Sequence, residues 1–138
     1  MKFYLYRIYK FEMDKDLYLN SIISLNPEII NEAKELDRNN NPDNLLYGIP
    51  ILVKDNINVE GMVTSAGASV FKDNFVDNNA IVIKNLKINN ALILGKLNMS
   101  EWAYYFCRPC PVGYSSLGGQ TLNPVSYTHL TLPTICSV

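Results

Sequence analysis

The sequence predicts an α/β fold in which a β-sheet is covered by helices, and three observations carry that expectation. Residues 49–53 (Ile-Pro-Ile-Leu-Val) form a short run rich in branched side chains, bounded by Gly48 and Asn56. The run is too short for a helix and reads as a buried strand. Residues 91–95 (Ala-Leu-Ile-Leu-Gly) form a second run of the same kind. Between them, residues 78–89 place Lys84, Leu86 and Lys87 at helical spacing, although Ala80-Ile81-Val82-Ile83 alone resembles a strand. A further helix is expected from Asn98. Strand, helix, strand, helix is the βαβ pattern of an α/β sheet, and the linking segment is long enough for a right-handed crossover.

The remaining elements follow in order. A first helix is expected from Asp14 to about Leu25, with Tyr18, Ile22 and Leu25 on one face. Asn26-Pro27 reads as a second helix start, Asn capping and Pro in the first helical position. Ile29, Ala33 and Leu36 give that helix an apolar stripe suited to a sheet. Residues 38–44 form a polar loop rich in Asn, Asp and Pro, hence exposed. After the strand that ends at Lys54, a loop passes through Gly61 and Gly67. Asp77 is placed to cap the crossover helix, and Asn90 to end it with a left-handed residue. Glu101 lies three residues after Asn98, a spacing like that of a capping box.

Length and charge set bounds. The chain has 138 residues, one domain's worth, and a formal net charge of −1. That balance gives no electrostatic reason to expect nucleic acid or an anionic membrane as partner. Residues 1–16 scatter Lys2, Arg7, Lys10, Glu12, Asp14, Lys15 and Asp16 among aromatics, so they lack the apolar core of a signal peptide. No stretch is long and apolar enough to cross a bilayer. A cytoplasmic, reducing setting is expected.

The three cysteines, Cys107, Cys110 and Cys136, are an odd number and indicate no disulfide framework. Cys107-Arg108-Pro109-Cys110 is a CxxC, but it follows an expected helix and falls at its C-terminal end, where a redox thiolate is disfavoured. Zinc ligation by Cys107, Cys110, His129 and Cys136 is a second possibility, weakened by the irregular spacing of the last two. Free thiols in a loop are the expectation, with no metal and no cofactor.

Lys54 is the residue of chemical interest. A cation delivered by a buried strand is costly unless it is paired or loses its proton, and a lysine that loses its proton is a usable base. The plainer reading is that Lys54 marks where the strand meets solvent.

Four ordered blocks bear on the choice. Gly48-Ile49-Pro50-Ile51-Leu52-Val53-Lys54-Asp55-Asn56-Ile57 is followed by Thr64-Ser65-Ala66-Gly67. Gly95-Lys96-Leu97-Asn98-Met99-Ser100-Glu101-Trp102-Ala103 and Gly118-Gly119-Gln120-Thr121-Leu122-Asn123-Pro124 come later. The set resembles the amidase-signature family of hydrolases, over about residues 19–124. The resemblance implies the N-terminal part of that family's fold, a mixed β-sheet covered by helices, here incomplete. It also implies metal-independent hydrolysis of carboxylic amides to acid and ammonia or amine by a Ser-cisSer-Lys triad. Of that triad only the lysine carries over, onto Lys54. Ser65, Ser115 and Ser116 lie outside the family's Gly-Ser-Ser context and are expected to satisfy turns. Lys96 is read as structural or loop-supporting. The chain as given is therefore expected to be inactive alone, and a small amide is the substrate expected for the family-length enzyme.

Within the family, the ammonia-releasing component of a tRNA-dependent amidotransferase is the alternative. From another class, a small zinc-binding interaction module remains open. Residues 109–138 contain no Asp, Glu, Lys or Arg, and residues 125–138 depart from the family. That stretch resembles translated sequencing-adapter DNA. The expected organisation is thus an amidase-like fragment over 1–124 and a non-native tail over 125–138.

Overall fold

The computed structural model describes residues 1–13, 18–39, 44–106 and 109–124. Its elements are helix α1 (Lys2–Met13), strand β1 (Ile22–Leu25), helix α2 (Ile29–Asn39), strand β2 (Pro50–Lys54), helix α3 (Ile81–Ile88), strand β3 (Leu92–Leu97) and the two short strands β4 (Tyr114–Ser115) and β5 (Gly119–Gln120). The main sheet has the order β1-β3-β2, with β2 parallel and β1 antiparallel to β3. It is therefore a mixed sheet, and the β2-α3-β3 unit supplies its parallel crossover.

Alternation along β3 divides the core between the two faces of the sheet. Leu92 and Leu94 pack with Ile29 on one side, where Met1 just before α1, Leu5 and Ile8 of α1, and Ala33 and Leu36 of α2 join them. Ile93 packs on the other side with Val53, Val59, Met62 and Ile83 of α3. Register slips between Ile51 and Leu52, which oppose Ile93 and Gly95. A β-bulge of this kind reverses the phase of the strand that carries the extra residue. Lys96, paired with Val53, consequently faces the Ile93 side, although Leu92 and Leu94 face the other. Gly95 is required at this crossing, since a Cβ there would lie 2.4 Å from the Ser24 carbonyl oxygen of β1.

Several expectations need correction. The first helix lies earlier in the chain than residues 14–25, and Ile22–Leu25 is a strand; residues 14–17 lie outside the described residues. The i, i+3 spacing of Ile22 and Leu25 fits either element, and pairing along β3 decides for strand. Ser21 is held to α1 by Glu12, whose carboxylate accepts its backbone N–H at 2.8 Å and its hydroxyl. Asn26 opens the turn that leads into α2, its Oδ1 accepting the Glu28 N–H at 2.9 Å and its carbonyl the Ile29 N–H. The helix itself begins at Ile29, so Pro27 lies in that turn and not in the first helical position.

Asp77 does not cap α3. The N-cap is Ala80, because Asn79 is engaged by Glu60 in two hydrogen bonds and Ala80 N–H donates to the Asn58 carbonyl. Asn90 has φ +59, as expected of a left-handed helix end. Of the polar loop over residues 38–44, positions 40–43 lie outside the described residues.

The helix expected from Asn98 does not form. Glu101–Tyr104 is a single tight turn, with Trp102, Ala103 and Tyr104 all at positive φ. The Asn98 side chain is committed elsewhere. Its Nδ2 donates to the carbonyls of Asn20 and Gly119 and to Thr121 Oγ1, and its Oδ1 accepts from Met99 N–H and the Ser115 hydroxyl. Glu101 accepts the Ser116 N–H at 2.7 Å instead of reaching back to Asn98.

Candidate active site around the end of strand β2

Lys54 is the last residue of β2, opposite Leu97 of β3. It shares the parity of Leu52 and not that of Val53. Its side chain is exposed, and its ammonium has no hydrogen-bond or ion-pair partner among the described residues. The expectation of a cation carried inward by a buried strand therefore fails for Lys54 and holds for Lys96, which is 0 % exposed. The bulge is the physical reason. It turns Lys96 beneath the following loop, while β2 delivers Lys54 to the surface.

That loop, residues 55–67, is built around Lys96. The ammonium donates to the Ile57 carbonyl at 2.8 Å, the Val63 carbonyl at 3.2 Å and Thr64 Oγ1 at 3.0 Å. It also pairs with Asp55 Oδ1 at 3.4 Å. Asp55, likewise buried, gives its other oxygen to the Thr64-Ser65-Ala66-Gly67 block. Oδ2 accepts the Ser65 N–H at 3.2 Å, the Gly67 N–H at 3.1 Å and the Ser65 hydroxyl. Ala66 and Gly67 adopt positive φ to present these groups. A Cβ on Gly67 would come within 2.8 Å of the Ser115 Cβ. Burial pushes the Lys96 ammonium below the ordinary lysine value, and the Asp55 carboxylate opposes that shift. A buried charge with three oxygen acceptors and a counter-ion is a satisfied structural group. This agrees with the loop-supporting role expected for Lys96 from sequence.

The three serines divide as turn-formers. Ser65 serves Asp55, the Ser115 hydroxyl donates to Asn98 and accepts the Gly118 N–H, and the Ser116 hydroxyl accepts the Ser69 N–H. The Gly118–Thr121 block is thereby sewn to Asn98, and Leu122 N–H donates to the Leu19 carbonyl. Sequence reasoning missed Asp55 as a site residue; its signal was position, directly after Lys54 and ahead of a Ser-Ala-Gly turn able to cradle a carboxylate.

The blocks that the sequence spaces over seventy-odd positions thus converge on one sheet end. The Amidase family profile matches residues 4–131. The chain belongs to the amidase family. Among solved structures, it resembles native peptide amidase from Stenotrophomonas maltophilia with a TM-score of 0.85 and 38% identity, covering 91% of this chain and 26% of that one. An amidase family protein from Bacillus anthracis is similar at a TM-score of 0.83 and 46% identity, covering 88% and 24%. A glutamyl-tRNA(Gln) amidotransferase subunit of Methanocaldococcus jannaschii is 37% identical over 123 residues, 88% of this chain and 26% of the relative. The chain spans about a quarter of the length of these family members.

The fold expected from the resemblance, a part of the amidase architecture with a mixed sheet covered by helices, is the fold observed. Cys110 is disulfide-bonded, which corrects the expectation of free thiols: an odd count of cysteines excludes a complete pairing, not a single bond. In that state Cys110 is not a thiolate ligand for zinc. The other three candidate ligands, Cys107, His129 and Cys136, lie outside the described residues, as does the whole 125–138 tail. Among the described residues no group of three potential metal ligands occurs, and no helix is long and apolar enough to cross a membrane.

Proposed function

We propose that this chain is the lysine-bearing part of a cytoplasmic amidase that hydrolyses small carboxylic amides without a metal, with Lys54 as the terminal base of a Ser-cisSer-Lys triad. The observation that carries the reading is the placement of Lys54. It stands within the Gly48–Ile57 block on which the family resemblance rests, at the C-terminal end of a parallel strand and beside a loop held by buried charges. In this reading the serines are supplied by sequence beyond the family block that ends at Pro124. A serine hydroxyl attacks the amide carbon, its proton passes through the second serine to the Lys54 amine, and the amine returns it to the departing nitrogen. Water then releases the acid from the acyl-serine by the same route. A hydroxyl is a weak nucleophile until a base within reach takes its proton, so the steps depend on Lys54.

The test is an enzyme of family length, obtained by reading the source DNA onward through the codon for Pro124. It should release ammonia or amine from simple carboxamides, and Lys54→Ala should lower kcat/KM by about 10²- to 10⁴-fold. Full activity in a folded Lys54→Ala enzyme would overturn the assignment. A second reading, the ammonia-releasing component of a tRNA-dependent amidotransferase, is supported by the 37% identity to the Methanocaldococcus jannaschii protein. Hydrolysis of glutamine that requires partner proteins, with none of simple carboxamides, would favour it.

A further inference from the structure

We propose that Asp55 and Lys96 are positioning residues for Lys54: the pair fastens both ends of the 55–67 loop to β3 and keeps the carboxylate next to Lys54 fully occupied on the opposite face, so that no counter-ion reaches the Lys54 amine. The inference rests on the reading of Lys54 as a base, but its geometry stands separately. Lys96 takes Asp55 and Ile57 at the start of the loop and Val63 and Thr64 at its end. One ammonium on the central strand thus closes the loop that departs from Lys54. Asp55 N–H adds a backbone tie to the Leu97 carbonyl, directly opposite Lys54.

Occupancy of the carboxylate is the second part. Asp55 is the nearest acid to Lys54 in sequence, and a free carboxylate nearby stabilises an ammonium against losing its proton. Both Asp55 oxygens are committed, one to Lys96 and the other to Ser65 and Gly67. Strand alternation sends Lys54 and Asp55 to opposite faces, and the Lys96 clamp keeps them there. A lone structural ion pair has no need of this arrangement. Here the pair begins one residue after the candidate base and encloses the loop beside it.

Competitive labelling of lysines with trace acetic anhydride in dilute solution at about pH 8, read by mass spectrometry, tests the idea without an activity assay. Only unprotonated amines react. In the wild-type chain Lys96 should be protected relative to exposed Lys10. In Lys96→Met the released Asp55 charge should slow labelling of Lys54, relative to Lys10, by about threefold, the factor that half a pH unit of added ammonium stability gives. Asp55→Asn combined with Lys96→Met should restore the wild-type rate. If Lys96→Met does not fold, Ser65→Ala carries the test, since it loosens the carboxylate without removing a charge and should slow Lys54 by a smaller factor. An unchanged Lys54 rate in the folded Lys96→Met chain, or in Ser65→Ala where that variant is used, would overturn the proposal. So would labelling of wild-type Lys96 as fast as Lys10. Failure of the catalytic reading is a different result, an active Lys54→Ala enzyme, and leaves these labelling ratios untouched.

Discussion

Lys96 is a buried, paired cation on the central strand of the sheet. Its ammonium is wholly buried, yet every direction it can donate in meets an acceptor. Removing one member of such a pair leaves the other as an uncompensated buried charge, at a cost of about 3–5 kcal/mol. Lys96→Met should therefore destabilise the fold by that order, and Asp55→Asn in the same chain should recover part of the loss. The pH dependence has a definite sign. Burial lowers the Lys96 value in the folded chain, so the unfolded chain binds more protons between that lowered value and about 10.4. Stability must then rise with pH across the window and be flat below it. Urea unfolding compared between wild type and Lys96→Met should show the gap widening as pH rises into the alkaline range. A gap that narrows there would show that Asp55, and not desolvation, governs this lysine.

At the scale of elements, the tight turn at Glu101–Tyr104 gives a direct test of backbone strain. Ala103 sits at φ +52, a conformation that costs a residue with a Cβ about 1–2 kcal/mol. Ala103→Gly should stabilise the chain by about 1 kcal/mol once the added freedom of the unfolded state is allowed for. The same substitution at Ala33, inside α2 and against the core, should destabilise it by about 1 kcal/mol or more. Thermal shifts of opposite sign check both. This turn also marks where the sequence stopped being readable. The runs that became β2 and β3 were legible because short branched stretches between turn-formers have few other uses. The expected helix after Asn98 failed because its capping side chain is taken by Ser115, Gly119 and Thr121, partners far along the chain. The site shows the same division. Each of the two strands brings a lysine to its end, Lys54 and Lys96, and local pattern cannot tell them apart. β2 keeps its alternation and turns Lys54 to the surface, while the extra residue of β3 opposite Ile51 and Leu52 turns Lys96 under the loop. Such a bulge is set by the pairing of strands that lie far apart in the sequence.

At the scale of the whole molecule, the described residues form a sheet with two open sides. Its order β1-β3-β2 leaves one edge of β1 and one of β2 without a strand neighbour among the described residues. Family members are about four times as long as the chain, so in them the part this sheet matches is about a quarter of a larger architecture. Apolar surface adds to these open edges. Phe71, Trp102, Phe106 and Tyr105 make a chain of edge-to-face contacts, yet Tyr105 and Phe106 are 80% and 74% exposed. Exposed strand edges and a contiguous aromatic patch are both surfaces on which chains associate. The 138-residue chain should therefore self-associate as its concentration rises over about two decades, with light scattering after size exclusion reporting a mass that grows accordingly. If the aromatic patch is the driving surface, Tyr105→Lys with Phe106→Glu should return the chain to a monomer while leaving the sheet intact, since neither side chain is part of the buried core. If that double variant still associates, the aromatic patch is not the driving surface. A wild-type monomer at every concentration would mean that the chain covers these surfaces itself.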